Sequence, residues 1–172
     1  MIEKDLTVLE IVTYGHPVLS KKAEEIKNIN QEIVDLARKM VFTMHSAPGI
    51  GLAAPQVSRS LRLITIDLSV GERQEDLIIL INPELISHEG EQVLEEGCLS
   101  VPGINEKVTR PNKVKVRGID LNENEKMIEA EGLLARVLCH ELDHIDGKLF
   151  ISRLSPLKRK LLKKKLNAPS TT

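Results

Sequence analysis

Five consecutive residues, His140-Glu141-Leu142-Asp143-His144, constrain this chain more than any others. They sit in a stretch with helical periodicity. Leu134, Leu138, Leu142 and Ile145 form an apolar stripe from Glu131 to about Gly147, where the glycine is a natural stop. Residues four apart on a helix project from the same side, so His140 and His144 can offer both imidazoles to one metal ion. Glu141 lies one position along, near that ion without having to ligate it, where a carboxylate can take a proton from water. The plainer alternative is a helix that merely carries two partly exposed histidines.

The third ligand decides the class. A histidine three residues beyond Gly147 would give a metzincin pattern, but position 150 is Phe150. A thermolysin-like site needs a downstream glutamate, and no Glu follows Glu141. Asp146 is too close on the same helix to complete a tetrahedron with both histidines. The ligand therefore comes from upstream, where three histidines, many carboxylates and Cys98 compete. Cys98 is flanked by Gly97 and followed by Leu99-Ser100 and Pro102-Gly103. A thiolate ligand and a buried small side chain are equally open readings of it. Cys139 lies about 100° round the helix from His140 and reads as a small buried hydrophobe.

The remaining punctuation outlines a single α+β domain. Asn30 is a plausible N-cap for a helix carrying Ile33, Leu36, Ala37, Met40, Val41 and Met44, stopping near His45–Pro48. Leu61–Leu68 reads as a strand buried in part on both sides, and Leu77–Ile81 as an apolar strand ended by Asn82-Pro83. Lys113 to Arg117 alternates as a half-solvated antiparallel strand does. Ser155-Pro156 opens a second helix with Leu157, Leu161, Leu162 and Leu166. Helix, then strands, then helices is an α+β order, not a series of βαβ units.

Three ordered segments then stand out: Gly49-Ile50-Gly51-Leu52-Ala53-Ala54-Pro55-Gln56, Glu96-Gly97-Cys98-Leu99-Ser100 and the histidine segment. Together they resemble the peptide deformylases, with motifs G-x-G-x-A-A-x-Q, E-G-C-x-S and H-E-x-D-H all complete. The similarity runs from near the N-terminus to Lys165. The resemblance implies antiparallel β-sheets packed around a central metal-binding helix, with a C-terminal helix. It implies residues 1–166 as the catalytic domain and 167–172 as a flexible tail. It also implies removal of the N-formyl group from the initiator methionine of nascent polypeptides, releasing formate.

On this resemblance Cys98, His140 and His144 ligate one divalent ion, natively Fe²⁺, with Zn²⁺, Ni²⁺ or Co²⁺ able to substitute. Glu141 acts as general base and then acid, while the Gln56 side-chain amide and the Leu99 backbone N–H stabilise the oxyanion. Ile50, Gly51 and Gly97 line the substrate. Asp143 reads as a solvated helix residue, and His16, His45 and His88 as solvated or capping residues. Glu95 and Glu96 are expected to hold the cysteine loop by ion pairing, with no partner evident.

Composition narrows the setting. Three aromatic residues in 172 weigh against base- or sugar-stacking platforms, and no apolar run is long enough to span a bilayer. Two cysteines with no signal-like or transit-like N-terminal segment point to a reducing compartment, taken as the bacterial cytoplasm. The net charge of −1 hides a division: all 25 acidic residues lie at or before Asp146, whereas Gly147 onward holds eight basic residues and no acid. Lys158-Arg159-Lys160 and Lys163-Lys164-Lys165 interleave with the leucines of the last helix. That pattern suits a helix packed by its leucines with a solvated basic face, or a ribosome contact through that face.

Overall fold

The computed structural model describes residues 6–168. Asn30 caps the first helix, α1 (Gln31–Ser46), its side chain accepting the Ile33 N–H at 3.1 Å. Two short strands follow, β1 (Gly51–Ala53) and β2 (Leu63–Ile66), and then the long β3, which runs Ile78–Glu89. A hairpin of β4 (Gln92–Cys98) and β5 (Val101–Arg110) comes next, then β6 (Lys113–Ile119) and β7 (Glu125–Glu131). Helix α2 (Leu133–Ile145) carries the histidine segment, and α3 (Pro156–Leu166) follows a short turn at Phe150–Arg153. This is the α+β arrangement expected.

Five strands pair antiparallel in the order β1-β2-β3-β6-β7, while among the described residues β4 and β5 pair only with each other. Strand β2 is buried on both sides. Ile64 and Ile66 join Leu80, Val114 and Val116 against Leu138 and Leu142 of α2, whereas Leu63 joins the cluster of Leu36, Met40 and Met44 from α1. A third cluster packs Val101, Ile104 and Val108 of the hairpin on Phe150, Ile151 and Leu154. Helix α2 thus lies between the larger sheet and the hairpin.

Two local expectations are corrected. Asn82-Pro83 does not end β3. Asn82 takes a positive φ of 50°, and its side chain exchanges two 2.9 Å hydrogen bonds with the backbone of Ile26. Pairing with β6 shifts from Ile81↔Ile119 to Glu84↔Arg117, so the proline falls in a bulge and the strand continues. Helix α2 starts at Leu133 rather than Glu131, because Glu131 closes β7 and Gly132 turns at φ 65°.

The C-terminal helix is capped by Ser155, which accepts the Lys158 N–H at 3.3 Å. Its leucines divide: Leu162 and Leu166 pack on the hairpin cluster, whereas Leu157 and Leu161 are 69% and 58% exposed. Of the expected flexible tail, residues 169–172 lie outside those described. Among the described residues no helix is long and apolar enough to cross a membrane.

Gly147 ends α2 at φ 77°, and a Cβ there would lie 2.9 Å from the Lys21 carbonyl carbon and oxygen. Both the left-handed backbone and the close approach require glycine. Gly147→Ala is expected to cost about 2 kcal/mol and lower the melting temperature by about 4–8 °C, as read by thermal unfolding.

Candidate metal centre

The hairpin and α2 bring three side chains from 46 residues apart to one point. Cys98 ends β4, where the pairing with β5 shifts from Glu96↔Glu106 to Cys98↔Val101 and leaves Leu99 and Ser100 in the turn. Its Sγ lies 3.3 Å from His144 Nε2, which lies 3.2 Å from His140 Nε2. A donor atom from each of Cys98, His140 and His144 falls within 4.8 Å of the other two. Ligands about 2.0–2.3 Å from a tetrahedral ion are separated by about 3.3–3.7 Å, so these donors fit one face of such a site. The expected alternatives fall away from it: His16 caps its own turn by accepting the Val18 N–H, and His88 is exposed. His45 is not simply solvated. Its Nε2 lies 2.7 Å from the buried carboxylate of Asp67.

Electrostatics favour a cation at this point. Burial opposes charge on His140, but hydrogen bonds to Cys98 and Glu96 outweigh it and raise the imidazole to about 10. Burial and the neighbouring His140 drive His144 well below its ordinary value. Burial pushes Glu141 up to about 7, and its Oε2 is buried with no hydrogen-bond partner among the described residues. The donor set of one sulfur and two imidazole nitrogens fits a divalent ion.

Glu96 organises the surroundings. It receives His140 Nδ1 at 2.6 Å on Oε1, together with Arg110 Nη2 at 2.7 Å, and takes Arg110 Nε and Arg136 Nη1 on Oε2. Arg110 also donates to Asp143 at 2.6 Å, and Asp143 accepts two bonds from Arg153. Asp143 is therefore not the solvated residue expected: it is buried between two guanidinium groups. Glu96 has the partners that sequence reading could not name. Arg136, one turn before His140 on the same helix, carried a usable spacing signal; Arg110 and Arg153 carried none.

A cavity of about 480 Å³ opens beside these groups, lined by Ile50, Gly51, Gln56, Gly97, Leu99 and Glu141 among others. All the expected catalytic and substrate-lining residues thus meet at one place. Gln56 is buried, accepts the Ala53 N–H at 3.0 Å and points its Nε2 toward Ser100 Oγ at 3.2 Å and Cys98 Sγ at 3.6 Å. Gly51 stands directly against Glu141, and a Cβ there would come within 2.5 Å of Oε1. Cys139 is buried away from the cluster, as expected.

The sequence and the fold can be set beside known proteins. The family model for polypeptide deformylase matches residues 8–160. The chain belongs to that family. Members are hydrolases that remove the N-formyl group from new polypeptides, and this is the activity of the chain. The peptide deformylase of Thermodesulfovibrio yellowstonii is 52% identical over 160 residues, covering 93% of this chain and 97% of its own. That of Syntrophobacter fumaroxidans is 47% identical, covering 93% and 94%. The crystal structure of the Legionella pneumophila enzyme superposes with a TM-score of 0.86 at 40% identity, covering 96% of this chain and 100% of that one. The Synechococcus elongatus deformylase, solved with actinonin, gives 0.87 at 40% identity, covering 94% and 89%.

Glu96 supplies a pH dependence that can be checked. Against the cost of burial, hydrogen bonds from His140 and Arg110 hold its carboxyl at about 2, below the ordinary 4.5. A depressed folded-state value adds stability above pH 4.5 that disappears as pH falls through 2. Urea unfolding at a series of pH values is expected to show this decline in the wild type. Glu96→Gln is expected to lack that part of the slope and to be less stable at neutral pH, because two arginines lose their carboxylate.

Proposed function

We propose that this deformylase holds its divalent ion through Cys98, His140 and His144, with Glu141, Gln56 and Leu99 as the catalytic groups. Convergence of the Cys98 sulfur and two imidazoles, beside a buried carboxylate oxygen with no partner among the described residues, is the observation that carries this reading. The resemblance points to Fe²⁺ as the native ion. A soft thiolate with two imidazoles also accepts Zn²⁺, Ni²⁺ or Co²⁺. When bound, the ion supplies Lewis acidity, acidifying water and polarising the formyl carbonyl.

The chain's own groups do the rest. Glu141 takes the water's proton and then delivers it to the leaving amine. The Gln56 side-chain amide and the Leu99 N–H face the developing oxyanion, each such donor being worth about 3 kcal/mol. Gln56 is already oriented, because Ala53 fixes its oxygen and leaves the NH₂ aimed at Cys98. Gly51 leaves room for Glu141 and, with Ile50 and Gly97, borders the substrate. β1 is the edge of the larger sheet and β4 pairs only with β5, so the cavity lies between two strand edges that an extended formyl-methionyl peptide can join.

On this reading residues 1–166 hold the catalytic domain, and the cytoplasm is the working compartment. The basic face of α3, with Leu157 and Leu161 exposed among its lysines, is the surface for a ribosome contact. Neutralising Lys158, Arg159, Lys160, Lys163, Lys164 and Lys165 together is expected to weaken co-sedimentation with ribosomes and flatten its salt dependence. Unchanged co-sedimentation would remove the contact while leaving the hydrolytic reading intact.

The decisive measurement is formate release from a formyl-methionyl tripeptide by protein purified anaerobically with Fe²⁺. Glu141→Ala is expected to retain the ion and lose at least about a hundredfold in kcat. Full activity in that variant would overturn the role given to Glu141.

A further inference from the structure

The three proposed ligands do not come from one element. His140 and His144 project from α2, whereas Cys98 ends a strand of the two-stranded hairpin, which forms no ladder with the larger sheet among the described residues. A helix and a hairpin must therefore be fixed to each other within a few tenths of an ångström for the thiolate to stay 3.3 Å from His144.

Arg136 is built for that task. It is 3% exposed and lies four residues before His140 on α2. Its Nη2 donates to the carbonyls of Val108 at 2.8 Å and Gln92 at 3.2 Å, one on each strand of the hairpin. Its Nη1 donates to Glu96 Oε2, on the carboxylate whose other oxygen receives His140 Nδ1. Its Nε donates to Gln92 Oε1 at 3.3 Å, and Gln92 Nε2 returns to the Gly132 carbonyl, just ahead of α2, at 2.7 Å. One planar fork thus grips both strands and the carboxylate behind a ligand. A lysine, with a single ammonium, cannot span those acceptors. His140 itself meets Glu96 of β4, and Arg110 and Asp143 tie the hairpin to α2 near its C-terminal end and His144, which leaves Arg136 as the tie on the N-terminal side of His140.

We propose that Arg136 is a positioning residue that sets the distance between the thiolate and the imidazoles and so the strength with which the ion is held. The inference rests on the ligand set proposed above, and metal binding, rather than turnover, tests it. Metal-free protein is titrated with Co²⁺ against a competing chelator while the thiolate-to-cobalt absorption band is followed. Arg136→Met keeps much of the side-chain volume and removes every bond. It is expected to weaken Co²⁺ binding about 10–100-fold and to reduce the thiolate band at saturation. Arg136→Lys is expected to recover part of the affinity, since it returns a cation to Glu96 but not the grip on both carbonyls. Arg117→Met, which removes only an exposed ion pair with Glu84, is expected to bind as the wild type does.

Wild-type affinity and an unaltered band in Arg136→Met would overturn the proposal. If that variant does not fold, the same result in Arg136→Lys would do so. Loss of affinity with an unchanged band would make Arg136 a support of the fold and not of the ligand spacing, and would overturn it equally. Co²⁺ bound by the wild type with no thiolate band would remove Cys98 from the ligand set and this inference with it, whatever the formate assay shows.

Discussion

The interior of this protein is organised around a carboxylate that would be untenable alone. Burying an ionised carboxyl group costs several kcal/mol unless its charge and lone pairs are matched. Glu96 is matched by Arg110 from β5 and by Arg136 and His140 from α2. Each partner needs its own compensation, and the alternation continues: Arg110 reaches Asp143, and Asp143 reaches Arg153, just ahead of the last helix. A run of opposite charges therefore passes from the metal centre to the foot of α3. At its near end Glu96 engages His140 Nδ1, which leaves Nε2 on the side of His144.

The carboxylate proposed as the catalytic base meets the opposite treatment. Glu141 follows His140 directly in the chain, yet one Glu141 oxygen has no partner among the described residues, and burial lifts its pKa toward neutrality. The same helix holds one neighbour by hydrogen bonds and leaves the other reactive. Space for the second comes from Gly51, across the cavity on β1, where any side chain would push against the carboxyl group. The glycine of the first sequence motif and the glutamate of the third are thus two halves of one steric fit.

What the sequence made legible was local or repeated in type. The histidines declared themselves by a spacing of four, Asn30 and Ser155 by their capping chemistry, and the strand from Lys113 by alternation. The site residues came from three short motifs, each carrying its own chemistry. Asn82-Pro83 misled because what turns it from a stop into a bulge is Ile26, 56 residues away. Asp143 misled for the same reason: Arg110 and Arg153, which bury it, are 33 and 10 residues distant. Phe150 is instructive in another way. Its failure to be histidine excluded one metal pattern, and the structure uses it instead as a ring stacked 6.4 Å from His140.

The separation of the ligands also orders events during synthesis. The two histidines lie one helical turn apart and can be placed by local structure alone, but Cys98 is joined to them only by closing a loop of 46 residues. Phe150 and Ile151, which cover the hairpin side of the centre, leave the ribosome later still. If Cys98, His140 and His144 are the ligands, all three can hold one ion only in a chain whose hairpin and α2 have met.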